Sequence, residues 1–412
     1  MTSNATSSPL SQAHLLPVFA RADVAFERGE GVWLIGTDGE RYLDFTSGVA
    51  VNALGHAHPH MVAALQEQAT KLWHMSNLFK SPDGERLAAR LCEQSFADFV
   101  FFANSGAEAM ECALKVTRHY HFSKGHPERT RIITFEGAFH GRTLGTLAAT
   151  GAAKYLEGYG APLDGFDQLP LGDIEAVKKA IGPNTAGILI EPLQGEGGVR
   201  APSNAFFGAL RELCDKNGIL LIFDEVQTGM GRTGELFAYQ RIGVTPDVMS
   251  LAKALGGGFP IGACLLSAEA AEGMAPGSHG STFGGNPLAV AAANSVLDIM
   301  LKPGFFDHVK KMSLLLKQKL AGVVDGHPDV LSEVRGEGLL IGLKAVVPAG
   351  DLVAALRDAK LLTVGAGDNV VRFLPPLIVS EAEIEQAVQR LEQACVALSS
   401  PAKESAKTQG AA

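Results

Sequence analysis

The sequence predicts an α/β protein: a mostly parallel sheet covered by helices on both faces, followed by a smaller α+β unit. Three observations carry this. Short apolar runs alternate with segments of helical periodicity up to about residue 300, which is the pattern of a sheet wrapped on both sides. Beyond about residue 300 the alternation gives way to glycine-bearing strands and one long amphipathic helix. The chain has 412 residues, more than one compact core usually covers.

In chain order, residues 31–34 and 42–45 form a strand pair joined by the turn Thr37-Asp38-Gly39. The runs at 100–102, 132–135, 187–190 and 219–223 are strand-length, predominantly apolar and bounded by polar or Gly residues, so they read as fully buried strands. Between them, Ala107, Met110, Leu114 and Thr117 fall at helical spacing, as do Phe206, Leu210 and Leu213. Residues 333–344 read as a strand with glycines, 370–373 as another, and 381–398 as a helix with Ile384, Ala387, Val388, Leu391 and Cys395 on one face. The expected division is an N-terminal segment 1–60, a large domain 61–300, a small α+β domain 301–398 and a disordered tail 399–412, the last being small and polar. No internal repeat is visible.

A net charge of −9 argues against nucleic acid or an anionic membrane as partner. No run of about 18 apolar residues offers a membrane span. Residues 1–20 are rich in Ser and Thr but hold no Lys or Arg, unlike a secretory or transit signal, so the expected location is the cytoplasm. Cys92, Cys112, Cys214, Cys264 and Cys395 are scattered among apolar neighbours with no C-x-x-C pair, and read as reduced, mostly buried thiols. His56, His58 and His60 lack the partners of a zinc signature, and no metal is expected.

Asp224 follows an apolar strand, where open α/β sheets place their ligands. Downstream, Lys253 sits in Leu251-Ala252-Lys253-Ala254-Leu255-Gly256-Gly257-Gly258. Apolar surroundings disfavour the charged amine, and a neutral amine attacks an aldehyde. A phosphate loop has its glycines before the lysine, the reverse of this order. Asn104-Ser105-Gly106-Ala107-Glu108-Ala109 lies between a strand and a helix, and reads either as a phosphate site at a helix start or as an ordinary serine cap. Phe139-His140-Gly141-Arg142 could stack on a ring and bind a carboxylate, or simply pack a loop.

Taken together, from about Leu15 to Leu398, the chain closely resembles the class III (ornithine-type) pyridoxal-phosphate-dependent aminotransferases of fold type I. The carrying motifs are those above together with Leu54-Gly55-His56-Ala57-His58-Pro59, Glu191-Pro192-Leu193-Gln194-Gly195-Glu196-Gly197-Gly198, Asp224-Glu225-Val226-Gln227-Thr228-Gly229 and Ser281-Thr282-Phe283-Gly284-Gly285-Asn286-Pro287. The resemblance implies pyridoxal 5'-phosphate as cofactor and Lys253 as the Schiff-base lysine. Asp224 is similar to the carboxylate that pairs with the pyridinium nitrogen and keeps the ring an electron sink. Val226 and Phe139 resemble the residues on the two ring faces, and Gln227 the partner of the ring hydroxyl. Ser105, Gly106 and Ala107 resemble the phosphate cup, with Glu191 also among the cofactor's neighbours. Thr282 resembles the residue that reaches the phosphate from a neighbouring subunit, which implies a homodimer with shared sites in which residues 1–60 join the interface and the small domain. Arg142 and Arg372 resemble two substrate carboxylate anchors, Glu196 the acid that pairs with Arg372 when no dicarboxylate is bound, and Ser281 a further substrate contact.

Within the family the likeness is strongest to the branch acting on acetylornithine, through Leu16-Pro17-Val18, the run 44–56 and Val371-Arg372-Phe373-Leu374-Pro375-Pro376-Leu377. The ornithine enzymes carry a tyrosine near Val18 for a free α-amino group, and here there is none. The implied reaction moves the δ-amine of N2-acetyl-L-ornithine to 2-oxoglutarate, within arginine biosynthesis. Succinylornithine, succinyl-diaminopimelate, ornithine and 4-aminobutyrate remain alternative donors. A nucleotide-dependent oxidoreductase lacks its strand-borne G-x-G-x-x-G here, and an inactive homologue would have lost the lysine or the aspartate.

Overall fold

Strands Thr185–Ile190 and Leu220–Asp224 are buried at every position, as the apolar runs at 186–190 and 220–223 require, and the burial extends to polar Thr185 and Asp224 at their ends. They form the middle of a seven-stranded sheet in the computed structural model, which describes residues 14–399. Across the sheet the order is Phe99–Ala103, Gly262–Leu266, Val248–Leu251, Leu220–Asp224, Thr185–Ile190, Arg131–Phe135 and Phe166–Leu169. Gly262–Leu266 is antiparallel to both neighbours, and the other adjacent pairs are parallel. Ala103, Phe135, Ile190, Asp224 and Leu251 therefore end at the same edge, where Gly262 begins.

The pleat sorts the side chains between two layers. Ile132, Leu189, Ile222, Val248 and Cys264 meet Met110, Ala113, Leu114 and Val116 of helix Gly106–Ser123. Ile133, Ile188, Leu221, Phe223 and Met249 face the other way, toward Phe206, Phe207 and Leu210 of helix Asn204–Asn217. Burying a side chain of this size contributes roughly 1.5–3 kcal/mol, so both faces hold the sheet edge rigid. Ser105 caps the first helix with its hydroxyl, accepting from Glu108 N, and Gly218 ends the second in the left-handed conformation at φ 59°.

A second sheet, Leu331–Glu337, Leu340–Ala345, Val370–Phe373 and Val364–Ala366, is antiparallel throughout and packs with helices Phe305–Gly326 and Ala349–Asp358, against which helix Glu381–Ser399 lies. The single strand expected at 333–344 is instead a hairpin. Gly338 takes φ 58°, the chain reverses, and Glu337 pairs with Leu340. The expected N-terminal pair is present as Trp33–Gly36 with Arg41–Asp44, preceded by a strand not foreseen, Phe26–Glu30. Leu361–Leu362 adds to this sheet in parallel with Leu43 and Asp44, tying the first strands to the C-terminal third. The last helix includes Ser399, the first residue of the expected tail, and 400–412 lie outside the described residues.

The cysteines are free thiols, four of them buried. His56 bonds Asp44 at 2.8 Å, His60 bonds Asp298 at 3.0 Å, and His58 caps helix Pro59–Ala69, so the three histidines serve separate partners. No single helix among the described residues is long and apolar enough to cross a membrane.

Candidate active site

A cavity of about 440 Å³ opens at the common strand edge. Most of the residues singled out from sequence line it: Ser105, Gly106, Ala107, Phe139, Arg142, Glu191, Glu196, Asp224, Val226, Gln227 and Lys253. Chain topology explains the convergence, since each sits on or just past the end of a strand at that edge.

Ser105 and Gly106 begin the helix after Phe99–Ala103, and the first N–H groups of a helix have no acceptor within it. A Cβ on Gly106 would stand 2.7 Å from Val226 Cγ1, so glycine alone allows this approach. Asp224 is buried, and each of its oxygens has a donor: His140 Nδ1–H at 2.7 Å and Val226 N–H at 3.0 Å. His140 Nε2 is buried with no partner among the described residues. Sequence reasoning assigned His140 no role, because nothing in a loop histidine shows that it turns toward an aspartate 84 positions away.

Lys253 opens a single 3₁₀ turn, Lys253–Leu255, with φ 45°, in the left-handed region. Desolvation brings its amine down to about 8. Arg372 pushes the same way, while Glu196, Asp224 and Glu191 oppose it. Glu191 is held well above the ordinary carboxylate range, first by burial and then by the charge of Asp224, although it accepts Phe139 N–H at 2.8 Å.

The two arginines differ. Arg372 does not itself line the cavity but is fully buried behind it. It donates to Glu196 Oε1 at 2.6 Å, Gln227 Oε1 at 3.2 Å and Gly365 O at 2.9 Å. Arg142 is exposed at the cavity mouth, its guanidinium 4.1 Å from the ring centre of Tyr155 and 5.4 Å from that of Phe139. Ser281 and Thr282 lie outside the cavity of a single chain. Ser281 Oγ accepts from Asn104 Nδ2 at 3.2 Å, and Thr282 is exposed on the same loop.

This donor set fits a flat, phosphorylated pyridine aldehyde. It offers helix N–H groups for a phosphate, a buried carboxylate for a ring nitrogen, Val226 and Phe139 as apolar walls, and a partly neutral amine for the aldehyde.

Comparison with known proteins agrees. Residues 18–395 match the family model described as aminotransferase class-III. The chain is 81% identical over 387 residues to acetylornithine aminotransferase 1 of Bradyrhizobium diazoefficiens, covering 94% of this chain and 96% of that one. It is 60% identical over 386 residues to acetylornithine aminotransferase of Agrobacterium fabrum, covering 94% and 97%. Among solved structures, N-acetylornithine aminotransferase from Stenotrophomonas maltophilia superposes with TM-score 0.81 at 39% identity, covering 92% and 97%. Ornithine aminotransferase from Toxoplasma gondii superposes with TM-score 0.90 at 31% identity, covering 93% of each chain. With this likeness spanning the sheet, the strand-edge cavity and the C-terminal sheet, the chain belongs to the class III aminotransferases, of fold type I, with pyridoxal 5'-phosphate as its cofactor.

Proposed function

We propose that the chain transfers the δ-amino group of N2-acetyl-L-ornithine to 2-oxoglutarate, giving N-acetyl-L-glutamate 5-semialdehyde and L-glutamate in arginine biosynthesis. The carrying observation is the contrast between the arginines. Arg372 is neutralised by Glu196, while Arg142 is open at the mouth. A donor with no carboxylate beside its reacting amine suits a latched Arg372. An acceptor with a carboxylate on each side of its chain needs both arginines. The relatives named for acetylornithine support the choice of donor.

When bound, the cofactor supplies an aldehyde that takes up the donor's nitrogen and a protonated ring that draws electron density from the reacting carbon. The positions described support these roles for the protein's own residues. Gly106 and Ala107 N–H groups and the Ser105 hydroxyl would hold the phosphate. Asp224, fixed by His140 and Val226 N–H, would keep a proton on the ring nitrogen. Val226 and Phe139 would lie on the ring faces, and Glu191 anchors the Phe139 backbone. Gln227 presents its oxygen to Arg372, which leaves its amide N–H for the ring hydroxyl. Lys253 Nζ, poised near neutrality, removes and returns the proton at the substrate's amine-bearing carbon. Arg142 holds the distal carboxylate in both half-reactions, with Ser281 a further substrate contact.

The proposal includes a homodimer. Leu72, Trp73, Leu78, Phe79 and Phe283 are large apolar residues left exposed, and segment 72–79 packs on the Thr282 loop through His74 against Phe283 and Asn77 onto Ser281 O. Such a patch supports a second copy there, with Thr282 reaching the other site's phosphate. We also propose the division 1–60, 61–300 and 301–398, which the parallel pairing of Leu361–Leu362 with the first strands supports for the N-terminal segment, and a cytoplasmic location. A panel of the donors above with 2-oxoglutarate tests the reaction. Acetylornithine should give the highest kcat/KM, and a higher value for another donor overturns the choice of substrate.

A further inference from the structure

Arg142 poses a physical question. It is exposed, it makes no ion pair among the described residues, and its long side chain has many rotamers to lose on binding. Yet it borders the cavity, where a carboxylate anchor has to be in place before substrate arrives. Its contacts are aromatic. The Tyr155 ring lies 4.1 Å from the guanidinium carbon and the Phe139 ring 5.4 Å, and the two rings meet edge to face at 6.1 Å and 80°. Lys154 Nζ also lies 4.6 Å from the Tyr155 ring centre.

Aromatic faces hold a guanidinium differently from a carboxylate. They attract the charge without consuming the N–H donors, whose edge stays free for a planar carboxylate. A carboxylate partner, such as Glu196 for Arg372, has to be displaced first. Tyr155 stands in the one-turn helix Ala153–Leu156 and is half-buried, so its ring has support of its own.

We propose that Tyr155 is a positioning residue for substrate selection: its ring holds Arg142 ready for the distal carboxylate and couples that arginine to Phe139. The inference rests on the proposed reading of Arg142 as the distal anchor. Losing a cation–π contact at a site like this should weaken binding roughly two- to thirty-fold.

The test uses the holoenzyme with glutarate, a non-reacting five-carbon dicarboxylate, as calorimetric probe, beside KM and kcat for both substrates. Tyr155→Leu should raise the glutarate Kd and both KM values within that range, with kcat and cofactor content held. Tyr155→Phe, which keeps the ring, should restore the affinity. An unchanged Kd in Tyr155→Leu alongside a weakened Arg142→Leu overturns the inference. So does failure of Tyr155→Phe to restore binding, or loss of kcat and cofactor together with affinity. An unchanged Kd in Arg142→Leu itself overturns the reading of Arg142, and is distinguishable because it needs no Tyr155 variant.

Discussion

Arg372 Nη1 and Glu196 Oε1 lie 2.6 Å apart although 176 positions separate them in the chain, the arginine almost fully buried and the glutamate partly open to the cavity. The guanidinium also donates to Gln227 and to Gly365 O, and its Nε has no partner among the described residues. A buried cation held this way tolerates exchange of one carboxylate for another far better than loss of all of them.

Arg372→Ala should therefore damage the two half-reactions unequally. Removing one partner of a buried charge pair costs about 2–5 kcal/mol, or roughly one to four powers of ten. That loss should fall on the 2-oxoglutarate half, with the acetylornithine half much less affected. Glu196→Ala should instead let glutamate compete as donor through its α-amine. Single-turnover rates for each half measure this, and equal damage in both would make Arg372 a general binding residue.

The pH dependence of reconstitution should report Lys253. Its amine is lowered from 10.5 to about 8, so the neutral nucleophile accumulates as pH rises through 8. The rate at which cofactor-free protein takes up cofactor should level off just above 8 rather than climb toward 10.5. The linkage has the matching sign. Between about 8 and 10.5 the unfolded chain binds more protons at this lysine, so the cofactor-free fold gains stability from it as pH rises. Lys253→Ala should bind cofactor without borohydride-trappable attachment and lose roughly two to four powers of ten in turnover.

Asp224→Asn should fold and bind cofactor but slow proton abstraction by an amount on the order of a hundred- to a thousandfold, as loss of a preorganised charge does. His140→Ala should act in the same direction and more weakly, because Val226 N–H still holds one Asp224 oxygen. Isotope-sensitive single-turnover measurements separate these variants from simple loss of cofactor. A normal rate in Asp224→Asn would make that residue merely structural.

Thr282 should act across a dimer interface. Mixing inactive Lys253→Ala with an inactive Thr282 variant should recover activity, since one of the mixed sites then has both residues intact. Confirmed mixing with no recovery would count against shared sites.

Much of the site was legible because its residues carry chemistry in local runs. Asp224 after a buried strand and Lys253 among glycines announce themselves by being polar where apolar is expected. The buried strands were equally plain, as Thr185–Ile190 leaves no position for water. What sequence left unread depends on contacts between distant segments. His140 matters through Asp224, and Tyr155 through Arg142. The hairpin at Leu331–Ala345 was missed for a different reason. A reversal at Gly338 leaves the apolar alternation nearly continuous, so periodicity alone does not reveal the turn.

Lys253 occupies a left-handed backbone conformation at φ 45°, one that side-chain-bearing residues adopt at a cost of roughly 1–3 kcal/mol. Chemistry and conformation therefore select opposite residues at one position. Lys253→Gly should be more stable to unfolding than Lys253→Ala by roughly 0.5–1 kcal/mol, reversing the usual order of these two substitutions. On the proposed reading the amine, and not the backbone, is what calls for a lysine at this turn: burial and the left-handed conformation both work against it.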